Sequence, residues 1–166
     1  EGNFEEAEKL YQQVLKNEPN QFEANNNLAI ILEKSGRLEE ARSHYEKLVK
    51  VQPKHLIANY NLAVLFEKAK NLNEAEKYYK KTLELKPDFT EAYFNLSILL
   101  NKLDKIEEAE KYFQKTLELK PDFAEAYNAL GNILFKLNKF EEAEINYKKA
   151  IELKPKFPNA YSNLGF

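Results

Sequence analysis

The chain has 166 residues, with 25 basic and 27 acidic side chains, and it lacks cysteine, methionine and tryptophan. The absence of thiols excludes a cysteine nucleophile, a disulfide framework and a cysteine metal site. A formal net charge of −2, with two arginines (Arg37 and Arg42) among the cations, argues against nucleic-acid binding. No apolar run approaches the roughly 18 residues that a membrane span needs, so we predict no membrane insertion.

The sequence repeats with a period of 34 residues, which governs every predicted element. The period is marked by prolines, at Pro19, Pro53, Pro87, Pro121 and Pro155. In chain order, the pattern predicts the second helix of a truncated repeat in residues 1–21 (about 4–17) and four helix pairs in 22–55, 56–89, 90–123 and 124–157. The start of a further, truncated repeat follows in 158–166. Because both ends cut through a repeat, we expect the chain to be an excerpt of a longer array.

Each repeat contains two apolar patterns with helical spacing, separated by a short break. In the first repeat these are Ala24, Leu28, Ile31 and Leu32, and then Leu38, Ala41, Tyr45, Leu48 and Val49. The break holds residues that tolerate left-handed or capping geometry, namely Gly36, Asn71, Asp104 and Asn138 in the four repeats. The second helix must end near the proline, which lacks an amide hydrogen. Each repeat is therefore predicted to be an antiparallel helix pair.

Two columns of the repeat indicate how closely the paired helices approach. One column contains only small residues, Ala29, Ala63, Ser97 and Gly131, and a second contains aromatic residues, Tyr45, Tyr79, Phe113 and Tyr147. Small residues let two backbones come together, and aromatic rings fill the wider end of the resulting wedge. We therefore assign the aromatic column to packing and not to ligand contact.

The repeat resembles the tetratricopeptide repeat, whose signature has a period of about 34 residues. In the fourth pair the signature positions are Tyr127, Leu130, Gly131, Leu134, Ala143, Tyr147 and Pro155. The resemblance implies an all-α fold, a right-handed α-solenoid of helix hairpins, with the first helices lining a concave groove. The sequence departs from the signature at Asn25 and Asn59, where the family has an aromatic residue.

The predicted groove surface is one stripe on each first helix, beside its packing face. The stripes read Glu23, Asn27, Ile30, Lys34; Ile57, Asn61, Val64, Lys68; Glu91, Asn95, Ile98, Lys102; and Glu125, Ala129, Asn132, Lys136, with Asn26, Tyr60, Phe94 and Asn128 in a neighbouring column. From these we predict a peptide-binding set of Asn27, Ile30, Lys34, Tyr60, Asn61, Val64, Lys68, Phe94, Asn95, Ile98, Lys102, Asn128, Asn132 and Lys136.

Each residue type in this set has a binding role and a competing structural role. Asparagine amides can pair with an extended peptide backbone, but this column also belongs to the packing pattern of the repeat family. The aliphatic residues can bury a partner's apolar surface or rest against the next repeat. The lysines can steer an acidic partner or simply be solvated at a helix end. The aromatic pair, Tyr60 and Phe94, is the stronger candidate for an anchor.

We therefore predict a scaffold that binds a peptide segment of a partner protein in its groove, without cofactor or metal. Two histidines, His44 and His55, lie in different repeats without a catalytic arrangement, so no enzymatic activity is expected. Tetratricopeptide arrays that bind the C-terminal tails of chaperones use a clamp that contains arginine. The corresponding column here, Asn26, Tyr60 and Phe94, contains no arginine. Arrays of O-linked N-acetylglucosamine transferases carry a similar asparagine ladder, which Ala129 interrupts here.

Two alternatives follow for the function. The array could deliver substrates to a transferase domain that lies outside this segment. It could also associate end to end with other copies of itself, since uncapped repeats can stack.

Overall fold

A computed structural model describes residues 2–165, and its side chains are described for residues 4–165. Glu1 and Phe166, which bound the predicted terminal segments, lie outside the described residues. The described part consists of ten α-helices without a strand: α1 (Gly2–Asn17), α2 (Phe22–Lys34), α3 (Leu38–Val51), α4 (Leu56–Lys68), α5 (Leu72–Leu85), α6 (Thr90–Lys102), α7 (Ile106–Leu119), α8 (Ala124–Lys136), α9 (Phe140–Leu153) and α10 (Pro158–Leu164). The prediction of an all-α helical repeat is confirmed.

The chain divides into two compact units, Glu1–Lys86 (the first unit) and Pro87–Phe166 (the second unit). In the first unit α2 packs on α3 and α4 packs on α5, while α1 contacts α2 and α3 contacts α4. In the second unit α6 packs on α7, α8 packs on α9, and α7 contacts α8. The short α10 packs on α9 and α8. Helices joined by short turns therefore form pairs in both units, although the exact limits of each repeat stay an interpretation of the sequence.

The turn inside each pair reverses the chain through one residue in the left-handed conformation. These residues are Gly36 (φ 77°), Lys70 (φ 59°), Asp104 (φ 59°) and Asn138 (φ 59°). In each turn two amides bond back to helix carbonyls, as when Gly36 N–H donates to Glu33 O and Arg37 N–H donates to Leu32 O. The sequence pointed to Asn71 in the second pair, but the left-handed residue is its neighbour Lys70. Asn71 instead caps α5, where its side-chain oxygen accepts from Glu74 N–H.

The core lies between paired helices, where the small and aromatic columns meet. Tyr45 and Tyr79 are fully buried, and Phe113 and Tyr147 are nearly so, which confirms their assignment to packing. At Gly131 the two helices approach closely. A Cβ atom placed there would lie 2.5 Å from Cε1 of Tyr147, so hydrogen is the largest substituent that this position accepts without movement.

The first helices of the first unit are capped by side chains at their amino ends. Gln21 caps α2 by accepting the Ala24 amide, and His55 caps α4 by accepting the Ala58 amide through Nδ1. The corresponding residues of the second unit, Phe89 and Phe123, have aromatic rings and make no side-chain cap hydrogen bond. Only the first unit therefore carries polar caps at these positions among the described helices.

Candidate functional site

All predicted site residues lie on the first helices of the pairs, spread over both units. In the first unit, α2 carries Asn27, Ile30 and Lys34, and α4 carries Tyr60, Asn61, Val64 and Lys68; in the second unit, α6 carries Phe94, Asn95, Ile98 and Lys102, and α8 carries Asn128, Asn132 and Lys136. The four lysines are exposed, and the other ten residues are half-buried. Each unit therefore presents its own part of the predicted surface.

The asparagines of the first unit are tied to tyrosine hydroxyls of the preceding helix. Asn27 Nδ2 donates to Tyr11 Oη at 3.1 Å, and Asn61 Nδ2 donates to Tyr45 Oη at 3.0 Å. Each bond joins the second helix of one repeat to the first helix of the next. At Asn61 the amide nitrogen points toward the tyrosine, so the amide oxygen is the group left to accept further hydrogen bonds. At Asn27 the oxygen already accepts from Asn26 Nδ2 at 3.5 Å.

A glutamate and a lysine extend this arrangement around Tyr45. Lys68 Nζ lies 2.6 Å from Glu33 Oε1, so that α4 is bridged to α2. Burial raises the pKa of the Tyr45 phenol, and the negative charge of Glu33 raises it further. The hydroxyl therefore stays protonated at neutral pH and accepts from Asn61. In the next pair, Tyr79 Oη donates to Glu67 Oε2 at 2.9 Å.

Between α7 and α8, in the second unit, this arrangement is lost as a set. Phe113 has no hydroxyl, Ala129 has no amide, and Asn101 stands where the earlier pairs have glutamate. Changing the donor and the acceptor together leaves neither group buried without a partner, which is the costly outcome. Elsewhere in this unit, Asn132 Oδ1 accepts from Tyr147 Oη at 2.9 Å, and Asn128 Oδ1 accepts from Asn163 Nδ2 at 2.9 Å.

The lysines engage neighbouring side chains of the protein. Lys68 pairs with Glu33, and Lys136 Nζ donates to Asn101 Oδ1 at 2.7 Å. In both contacts the lysine reaches back to the first helix of the preceding pair. Lys34 Nζ lies 5.4 Å from the ring centroid of Phe4. The exposed Lys68–Glu33 ion pair contributes about 0.2–1 kcal/mol. Asn101 and Phe4 are neutral, so Lys136 and Lys34 keep their positive charge.

The two predicted aromatic anchors rest on other rings. The Tyr60 ring lies 6.0 Å from the Tyr79 ring in the first unit. The Phe94 ring lies 4.6 Å from Phe123 and 6.0 Å, edge-on, from Phe113 in the second unit. Both rings are thus fixed on one side, and being half-buried they keep part of their surface accessible.

Each unit also has a surface cavity, between α1 and α2 in the first unit and among α8, α9 and α10 in the second. In the first unit a cavity of about 310 Å³ is lined by Phe4, Ala7, Tyr11, Asn27, Ile30 and Ile31. In the second unit a cavity of about 350 Å³ is lined by Phe135, Phe140, Ala143, Glu144, Tyr147, Lys148, Asn163 and Leu164. The first of these is lined by two predicted site residues, Asn27 and Ile30.

The histidines have structural partners. His44 Nδ1 donates to Asn25 Oδ1 at 2.8 Å, and His55 Nδ1 accepts from the Ala58 amide at 3.2 Å. Burial lowers the pKa of both imidazoles, and at His44 the neighbouring Lys47 lowers it further. No group of three or more metal-ligating side chains is found within the described residues. Among the helices the structure describes, none is long and apolar enough to cross a membrane.

Sequence reasoning missed the hydroxyl partners of the asparagines. The signal was present: Tyr11 and Asn27 are 16 residues apart, and so are Tyr45 and Asn61. The same offset links Phe113 with Ala129, where both polar groups are missing. An assignment of the tyrosine column to packing alone leaves out this offset, because it gives the hydroxyl groups no partner.

Comparison with known protein families gives three matches. Residues 20–88 and 66–133 each match a family described as "Tetratricopeptide repeat", and residues 131–166 match one described as "TPR repeat". Together the three ranges run without a gap from residue 20 to residue 166. No curated protein sequence matches significantly.

Several solved structures share the fold. A crystal structure of MamA is 25% identical in sequence and has a TM-score of 0.89; the match covers 93% of this chain and 91% of the MamA chain. YrrB, described as a TPR protein with an unusual peptide-binding site, is 22% identical over 97% of this chain and 83% of its own, with a TM-score of 0.88. PilF of Pseudomonas aeruginosa is 19% identical over 98% of this chain and 74% of its own, with a TM-score of 0.84. With its period, its paired helices and its wedge of small and aromatic residues, the chain belongs to the tetratricopeptide repeat proteins.

Proposed function

We propose that this protein is an interaction scaffold, and that the first helices of each unit bind an extended peptide segment of a partner protein. The observation that carries the proposal is the orientation of Asn61. Because its amide nitrogen is held by Tyr45, its oxygen is available to accept from the N–H groups of a peptide backbone. Such contacts do not read side chains, so they suit partners of varied sequence.

Apolar contacts supply most of the binding free energy in this proposal. Tyr60 and Phe94 are half-buried rings supported from behind by Tyr79 and by Phe113 and Phe123. Rigid aromatic side chains are common anchors in interfaces because they bury a large area at a low entropic cost. Val64 and Ile98 lie on the same helices and extend the apolar surface.

The fold similarity to YrrB adds support, since that protein is described as having a peptide-binding site. The alternative of substrate delivery to a transferase depends on a catalytic domain outside these residues, and no contact described above favours it over the scaffold. End-to-end self-association also stays a prediction.

The test uses peptides selected from a random library displayed on phage, followed by affinity measurement with synthetic peptides. Loss of a buried aromatic anchor costs about 2 kcal/mol, so the Tyr60→Ala/Phe94→Ala double variant is expected to bind at least roughly thirtyfold more weakly. Ile145→Ala is the matched control, because Ile145 is an exposed apolar residue on a second helix. Circular dichroism establishes that all variants stay helical. Equal affinity of the double variant and the control would contradict the proposal.

A further inference from the structure

The amino end of α4 depends on an imidazole for its cap, in contrast to the amino end of α2. The Ala58 amide donates to His55 Nδ1 at 3.2 Å. In α2 the equivalent amide, that of Ala24, is accepted by the side-chain oxygen of Gln21. Glutamine accepts at any pH, but Nδ1 of histidine accepts only while it carries no proton.

The backbone of His55 is held by hydrogen bonds, and its ring contacts α2. Its backbone carbonyl accepts from the Asn59 amide at 3.2 Å and from Asn59 Nδ2 at 2.8 Å, and its own amide donates to Gln52 O at 3.0 Å. The ring packs against Phe22 of α2 with the centroids 4.1 Å apart. The Phe22 contact and the hydrogen bond from the Ala58 amide together orient the imidazole in the folded state.

Protonation at this position has two unfavourable consequences. The Ala58 amide loses its acceptor, and Ala58 is fully buried, so water cannot readily replace it. The imidazolium also lies at the amino end of a helix, where the helix dipole disfavours positive charge.

The charged neighbours offer no strong compensation within the first unit. Lys54 lines the same surface cavity as His55, and Lys50 lies in the last turn of α3. Glu23 follows Phe22 in the first turn of α2, and its carboxylate accepts from Gln21 Nε2 at 2.9 Å. Burial lowers the pKa of His55, in keeping with a ring that is neutral in the folded state.

We infer that His55 is a proton-sensitive cap that holds the first turn of α4 at neutral pH and releases it on acidification. The turn that it holds, Leu56–Asn59, directly precedes Tyr60 and Asn61. Fraying of this turn would displace both residues, so acidification would weaken ligand binding by the first unit. This last consequence, and not the cap itself, rests on the proposed function.

Amide hydrogen exchange measured by NMR tests the cap without any ligand. The measured quantity is the protection factor, the ratio of intrinsic to observed exchange rate, for Ala58 and for Ala24 as internal reference. Between pH 7.5 and pH 5.0, protection of Ala58 relative to Ala24 is expected to fall roughly fivefold, the factor that corresponds to losing a typical cap. An unchanged ratio would overturn the inference.

Three variants separate the cap from other effects of acid. His55→Gln copies the cap of α2 and should abolish the pH dependence of the ratio; His55→Asn serves the same purpose if the glutamine variant is poorly folded. His44→Gln should behave like the parent, because His44 donates from Nδ1 and caps nothing. A His55→Gln protein that loses Ala58 protection as the parent does would overturn the inference.

A second measurement addresses the ligand. With a peptide selected as above, the affinity of the parent at pH 5.0 should be lower than at pH 7.5, while that of His55→Gln should change less. If no peptide binds, the proposed function fails but the exchange result still decides the cap. If peptide affinity falls equally in both proteins, the coupling to the groove is wrong.

Discussion

The side-chain amide of Asn61 donates to the hydroxyl of Tyr45 at 3.0 Å, which joins the second helix of one pair to the first helix of the next. Tyr45 is fully buried and Asn61 is half-buried. The bond therefore connects the packed core with the face proposed to bind a ligand, and it fixes which atoms of Asn61 a ligand can meet.

Removal of the Tyr45 hydroxyl is expected to destabilise the protein modestly. Tyr45→Phe leaves Asn61 Nδ2 without its acceptor, and a lost hydrogen bond of this kind costs about 0.5–1.5 kcal/mol. Chemical denaturation measures the free energy of unfolding. Adding Asn61→Ala to Tyr45→Phe should cost less than the sum of the two single changes, because the pair then matches Phe113 and Ala129. Strict additivity would mean that the two side chains are not coupled.

Gly131 should tolerate no larger residue. In Gly131→Ala the new methyl group would meet the Tyr147 ring at 2.5 Å, and overpacking of this kind costs about 1–3 kcal/mol. The ring cannot easily move aside, because its hydroxyl donates to Asn132. Ala63→Gly is a useful comparison, since alanine is accommodated at that position of the second pair. A Gly131→Ala protein as stable as the parent would show that the wedge is looser than described.

Lys70 is the one lysine among the left-handed residues of the four turns inside the described helix pairs, and its replacement should stabilise the protein. A non-glycine residue pays a steric penalty of about 1–2 kcal/mol in this conformation, partly offset by the greater entropy of glycine in the unfolded chain. Lys70→Gly is therefore expected to raise the free energy of unfolding by about 0.5–1 kcal/mol. Asn138→Gly should gain less, since asparagine tolerates the left-handed region better. A loss of stability in Lys70→Gly would contradict the turn assignment.

Folding stability should decrease as the pH falls below about 6.5, the ordinary histidine value. The pKa of His44 and of His55 is lowered in the folded state, so the unfolded chain binds protons more readily in this range. Stability therefore rises with pH through the window and is lost on acidification. Denaturation midpoints at pH 7.5 and 5.0 measure the effect. The His44→Gln/His55→Gln double variant should show a smaller difference between the two values, and an equal difference would assign the effect to other groups.

The sequence predicted the helix pairs well because the period and the apolar spacing report directly on packing. Burial of Tyr45 and the close approach at Gly131 both follow from columns that are visible without a structure. In the second pair the left-handed position falls on Lys70, while Asn71, predicted to take left-handed or capping geometry, takes the capping role.

The side-chain partners on the first helices were harder to foresee. Lys68 reaches back to Glu33 over 35 residues, and the acceptor of Asn61 is a residue assigned to the core. Such contacts depend on how consecutive pairs are placed, which residue columns alone do not specify. The cap formed by His55 was missed for a different reason: histidine is an uncommon helix cap, and its role depends on which ring nitrogen faces the amide.

An NMR titration with a selected peptide tests whether the first helices bind a peptide. Resonances of Tyr60, Phe94 and the side-chain amide of Asn61 are expected to shift on binding, while those of exposed residues on the second helices, such as Ile145, are not. Saturable shifts confined to the second helices, with the amide of Asn61 unmoved, would contradict the proposal.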